Sequence, residues 1–200
     1  MPISSVYTSA LIAALVSLAI AGDGVLADTP ERAPKPRTKP QAAENPPIQQ
    51  QNMVTIIPRR GWDAKQPLFA MKPHEPLSIL VHHTAGSVNT RRDIRYKMRA
   101  LQAYSQKQAD LGGGRKRDPW ADVPYHFYVS ADGAVAEGRE ITYSGDTNTN
   151  YDPAGHIQVV LEGNFENVEP TDGQMAALED LLVQLVRKWK VPTERIRTHK

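Results

Sequence analysis

Six histidines, His74, His82, His83, His126, His156 and His199, are the residues of this 200-residue chain best suited to metal or proton-transfer chemistry. Cysteine is absent, which excludes a disulfide scaffold, a thiolate metal cluster and a lipid-anchored cysteine. Any metal site must therefore use His, carboxylate or Tyr. A lone histidine is more often a surface or packed residue than a ligand, so its context has to decide. His82 and His83 stand where the apolar run Leu77 to Val81 gives way to Thr84-Ala85-Gly86, and open α/β sheets place ligands at that end of a strand. Adjacent strand residues face opposite sides, so one of the pair can look into a site while the other packs or orients. Tyr125-His126, after Asp122-Val123-Pro124, poses the same choice. The phenol suits an oxyanion donor as well as a core aromatic with a solvated tip. His156, just before the apolar run Ile157 to Leu161, has a groove-facing reading and a structural one.

Elements must position these groups. Regular structure is expected from Met53 to Ile57, and Leu77 to His82 reads as a buried strand ending on His82. Thr90-Arg91-Arg92-Asp93 has the form of a capping box, with Ile94, Met98, Leu101 and Ser105 at helical spacing until Gly112 to Gly114. Tyr125 to Ser130, the turn Ala131-Asp132-Gly133 and Ala134 to Glu137 form a predicted hairpin. Ile157 to Leu161 is a further strand. A second capping box, Thr171 with Gln174, opens a helix through Met175, Leu178, Leu182, Leu185 and Trp189 that Pro192 ends. The predicted class is α/β, a single domain with a mixed central sheet flanked by helices. Gly112-Gly113-Gly114-Arg115-Lys116-Arg117 lacks the ending of a phosphate loop and reads as a mobile cationic loop beside an anionic polymer.

The apolar run Ala10 to Ala21, followed by Val25-Leu26-Ala27, reads as an export leader over residues 1–27, too short for a comfortable membrane span. Residues 28–52 are rich in Pro and Gln and read as a disordered tether, which leaves a domain over 53–200. With 24 Lys and Arg against 22 Asp and Glu, the net +2 lies far from the basic excess of a nucleic-acid binder.

Taken in order, Val81-His82-His83-Thr84-Ala85-Gly86, Asp122-Val123-Pro124-Tyr125-His126-Phe127, Gly138-Arg139, Leu161-Glu162-Gly163-Asn164-Phe165 and Arg197-Thr198-His199-Lys200 are five specific segments. Together they resemble the signature of the type-2 N-acetylmuramoyl-L-alanine amidase and peptidoglycan recognition protein family, over roughly Ile57 to Lys200. The resemblance implies a zinc ion held by His82 and His199, and Tyr125 at the metal-bound water or the developing oxyanion. It also implies a third ligand, with an assisting Lys or Thr, shortly downstream of His199, so the chain reads as a shortened gene product in which zinc binding is weak and hydrolysis slow. Substrate contacts are expected from Thr84, Arg139, Asn164 and His156. Arg139 and Asn164 suit the carboxylate and N-acetyl groups of a muropeptide, and equally suit holding turns. The implied activity is hydrolysis of the bond between N-acetylmuramic acid and L-alanine by an exported bacterial enzyme, monomeric and periplasmic or extracellular. The alternative is a peptidoglycan-binding module without catalysis.

Overall fold

The computed structural model describes residues 53–198, so the leader, the tether, and His199 lie outside the described residues. In chain order the elements are β1 (Ile56–Ile57), β2 (Ser78–His83), α1 (Ile94–Ser105), β3 (Ala109–Gly112), β4 (Arg115–Arg117) and β5 (Phe127–Val129). They continue with β6 (Val135–Glu137), β7 (His156–Leu161), α2 (Asp172–Trp189) and β8 (Ile196–Thr198). Six strands make one sheet in the order β1-β6-β5-β7-β2-β8, and β3 and β4 pair apart from it. Within the large sheet β5 and β6 are antiparallel and the other neighbours parallel. The fold is thus the predicted mixed sheet flanked by helices.

Alternation along the strands sorts the side chains onto two faces. Ile79, Val81, Val129, Ile157 and Val159 face α2 and pack on its Leu178, Leu181, Leu182 and Leu185. Each of these leucines is buried, a contribution of about 1.5–3 kcal/mol per side chain relative to exposure. The capping box at Thr171 and Gln174 forms as predicted, Asp172 lies in the first turn, and Arg187 and Lys188 lie in the last, all in the sense the helix dipole favours.

The second face is only partly covered. Ile94 and Met98 of α1 pack against Trp62, Tyr128, Ala136 and Val160, a cluster to which neither β2 nor β8 contributes. On the β2-β8 side of this face a groove is lined by Leu77, Ser78, Leu80, His156 and Arg197, with His82 half-buried further along β2.

Two local expectations are corrected. Asp93, not Thr90, caps α1, its carboxylate accepting from Tyr96 N at 2.8 Å. The helix also stops at Ser105, well before the glycines. Arg117 ends it, because its guanidinium donates to Ser105 O at 2.9 Å and Tyr104 O at 3.1 Å, satisfying carbonyls of the last turn. The glycine-rich stretch is a β-hairpin, with Gly112, Gly113 and Gly114 all at positive φ in its turn.

Candidate active site

Ser78, Leu80 and His82 lie on the open face, and their partners in β7 are His156, Gln158 and Val160. The half-buried His82 ring stands 5.5 Å from Tyr125 and 6.3 Å from Tyr151, centroid to centroid. Tyr151 in turn lies 6.2 Å from His156. One imidazole and two phenols therefore meet on the groove floor, with a second imidazole one ring further along. The same end of β2 lies against the edge strand: β8 pairs Thr198 with Val81, so the residues that directly precede His199 and His82 are partners across the sheet. His199 itself lies outside the described residues.

Tyr125 is held from several sides. Its carbonyl accepts from Arg139 N at 2.8 Å, and Gly138 N donates to His126 O at 2.7 Å. Gly138 is required there, since a Cβ would lie 2.2 Å from the Tyr125 carbonyl oxygen. Upstream, Asp122 accepts from Gln102 Nε2 and Val123 N, both at 2.8 Å, and pairs with Arg59 at 2.7 Å. Burial raises the Tyr125 phenol above its ordinary value. At neutral pH the group is therefore a hydrogen-bond donor rather than a base. Burial likewise pushes Tyr151 up to about 12, with Tyr125 adding to the shift.

His126 points away from this cluster. Its ring stacks on His74 with centroids 5.6 Å apart, and its Nδ1 accepts from Gln158 N at 2.8 Å. Its Nε2 therefore carries the proton and donates to Tyr143 O at 2.9 Å. His74 uses both nitrogens in the same way, accepting from Gly155 N and donating to Ile141 O. The two rings tie the segments on either side of the groove to the sheet. His83 faces away from His82, as alternation demands, and its Nδ1 accepts from Phe165 N at 3.0 Å.

Three of the four expected substrate contacts have another task. Arg139 is 4% exposed, and its guanidinium donates to Val123 O, Ser144 O, Asp122 O and the Asp146 carboxylate. That leaves it no donor directed at the groove. The Thr84 hydroxyl donates to Gly163 O and accepts from Gly163 N, joining the ends of β2 and β7. Asn164 Oδ1 accepts from Glu166 N in a local turn. His156 alone of the four stays on the groove face, with Nδ1 2.6 Å from Ser78 Oγ. Burial lowers its pKa, Asp152 opposes that shift, and His74 and Arg197 reinforce it.

Tyr151 and Arg197 were not singled out from the sequence. Tyr151 was legible in retrospect as one aromatic at the end of the polar loop Thr147-Asn148-Thr149-Asn150, the kind of loop residue that tends to carry function. Arg197 gave no such signal, because only the pairing Leu80↔Arg197 puts it on the open face.

Comparison with known proteins decides the family. Residues 72–200 match the family described as N-acetylmuramoyl-L-alanine amidase. The chain belongs to this amidase family. Among curated relatives it is similar to peptidoglycan recognition protein 1 of Rattus norvegicus, 31% identical over 130 residues that make up 64% of this chain and 66% of that protein. Peptidoglycan-recognition protein SD of Drosophila simulans is 28% identical over 142 residues, 69% of this chain and 70% of that protein. Among solved structures, that of Drosophila peptidoglycan recognition protein SD superposes with a TM-score of 0.60 at 27% identity, covering 73% of this chain and 83% of the other. Peptidoglycan recognition protein LE in complex with tracheal cytotoxin, a monomeric diaminopimelic acid-type peptidoglycan, superposes with a TM-score of 0.59 at 27% identity, covering 72% and 81%. The chain thus shares its fold with proteins named for recognising peptidoglycan. Among its described residues no helix is long and apolar enough to cross a membrane.

Proposed function

We propose that this amidase-family chain takes a peptidoglycan stem peptide into the groove beside α1 and hydrolyses the amide between N-acetylmuramic acid and L-alanine. The observation that supports this best is the meeting of His82 with Tyr125 on the uncovered face, next to the paired residues Val81 and Thr198. His82 and His199 are the proposed zinc ligands. A hydrolytic zinc site takes about three protein ligands and leaves a position open. Among the described residues no three His, Asp or Glu side chains converge, so the ligand set is not complete within 53–198. The donor type fits, since neutral imidazole on a strand end is a common zinc ligand. Zinc, when bound, lowers the pKa of a coordinated water and polarises the carbonyl.

The rest is done by the chain's own groups. The protonated Tyr125 phenol donates a hydrogen bond to the oxygen on which negative charge develops. The stacked His74 and His126 rings hold the groove walls, and the Gly138 contact fixes the Tyr125 backbone. His156 and Arg197 add a polar, cationic flank on the same face. Export to the periplasm or cell exterior belongs to the same reading, because the substrate lies there.

Recognition without hydrolysis is the second reading, favoured by the relative bound to a monomeric peptidoglycan. Incubation with a purified muropeptide, followed by chromatography and mass spectrometry, separates the two. A free peptide with a new L-alanine amino terminus, absent with His82→Ala, supports hydrolysis. Calorimetric binding without that product at saturating zinc supports recognition alone, and neither binding nor cleavage contradicts both.

A further inference from the structure

The near-neutral total charge conceals a local asymmetry. Residues 91–117 hold nine Lys and Arg against two Asp, a net of +7, whereas the rest of the chain holds 15 basic against 20 acidic side chains. These 27 residues are α1 and the β3-β4 hairpin, which Arg117 joins by donating to the last carbonyls of α1 and stacking 4.0 Å over Trp120. The two aspartates are taken up locally, Asp93 as the helix cap and Asp110 accepting from Gly112 N. Lys97 pairs with the buried Glu162, and Arg99 with Asp63. Arg91, Arg92, Lys107, Arg115 and Lys116 are exposed, and among the described residues none of them has an acidic partner.

Such a pattern works against the free molecule. Like charges four residues apart on α1, Arg95 and Arg99, disfavour the helix, Arg92 adds positive charge just before its N-terminus, and an anionic partner relieves that repulsion. α1 stands beside the groove, on the same face of the sheet as His82 and Tyr125. A polymer whose stem peptide enters the groove has α1 and the hairpin as the neighbouring basic surface on that face. The outward face of α1 shows Tyr96, Ala100, Ala103 and Tyr104, with Arg92 stacked 4.4 Å over Tyr96. It offers no row of large aliphatic side chains to sink into a bilayer.

We infer that α1 and the β3-β4 hairpin form a cationic exosite for polymeric peptidoglycan, whose successive stem peptides carry free carboxylates, so that the chain engages intact sacculi in preference to released muropeptides. The inference rests on the function proposed above and concerns a surface outside the groove.

The test compares the full chain with an Arg92→Gln, Arg115→Gln, Lys116→Gln triple variant, whose changes are all exposed. Co-sedimentation with purified sacculi is measured from low to high salt, and calorimetry measures a monomeric muropeptide. We expect sacculus binding to fall about tenfold in the variant at low salt, and the difference to vanish near 1 M salt, where the screening length is about 3 Å. Muropeptide affinity should be unchanged. Equal pelleting of both proteins at low salt overturns the exosite. So does stronger charge-dependent binding to phosphatidylglycerol vesicles or to duplex DNA than to sacculi. Loss of muropeptide binding in the wild type, with salt-dependent sacculus binding intact, contradicts the groove function and leaves the exosite standing.

Discussion

Tyr125 and His126 are neighbours in sequence and opposite in role. Tyr125 faces His82, and its phenol, raised by burial, stays protonated through neutral pH. Tyr125→Phe should therefore keep the fold and any bound zinc while turnover falls by about 100- to 1,000-fold, the scale of removing an oxyanion donor. Parallel measurement of kcat and zinc content checks this. His126 faces inward, and burial pushes its imidazole down from 6.5 to about 4. Between those values the unfolded chain takes up a proton that the folded chain refuses. Stability should accordingly fall as pH drops from about 6.5 to about 4, by up to about 3 kcal/mol, and level off below. Denaturation midpoints at pH 7 and pH 4.5 report it, and His126→Gln should flatten the profile. Glu162 acts lower. Burial alone would raise its carboxyl, but hydrogen bonds from Asn89, Lys97 and Ala131 hold it below the ordinary value. Its contribution is lost only as pH falls through that depressed value. The sequence posed the choice within each adjacent pair, His82-His83 and Tyr125-His126, and the alternation along β2 then assigned His83. Nothing local could show that the Arg139 guanidinium is spent on four bonds within the protein, because its acceptors come from 122–123 and 144–146.

Elements whose ends are set by neighbouring residues were legible. The Thr171–Gln174 box predicted the start of α2 to within one residue, and both reciprocal bonds form. Thr171→Ala should destabilise the fold by about 1 kcal/mol, since the cap and the bond to Ala131 O are both lost. Thermal or chemical denaturation measures it, and a change near zero would mean that packing of the leucines alone sets the helix start. Elements ended by distant residues were misread. α1 stops where Arg117 reaches its carbonyls, a contact across 12 residues that no helix-stop signal encodes. The β5-β6 hairpin was read correctly but too long. Tyr125 and His126 lie before the ladder begins, and Gly138 and Arg139 still bond to their carbonyls past the strand end.

At the scale of the molecule, α2 packs on one face of the sheet and α1 on the β5-β6-β7 part of the other, and the groove lies on the β2-β8 side of that second face. Sequence patterning implied a mixed sheet with helices but not which strands lie uncovered, since β8, last in the chain, pairs with β2 near its beginning. That single pairing is what draws the end of the described chain to His82, and the proposed chemistry depends on it. The most direct test is metal content after dialysis against trace zinc, measured by mass spectrometry for wild type, His82→Ala, His199→Ala and His156→Ala. Each variant's circular dichroism shows that it remains folded. The proposed site requires His82→Ala and His199→Ala to hold less zinc than wild type, however weakly wild type holds it, and His156→Ala to match wild type. Zinc retained without His82, or lost on removal of His156 alone, would contradict it and place the metal further along the groove.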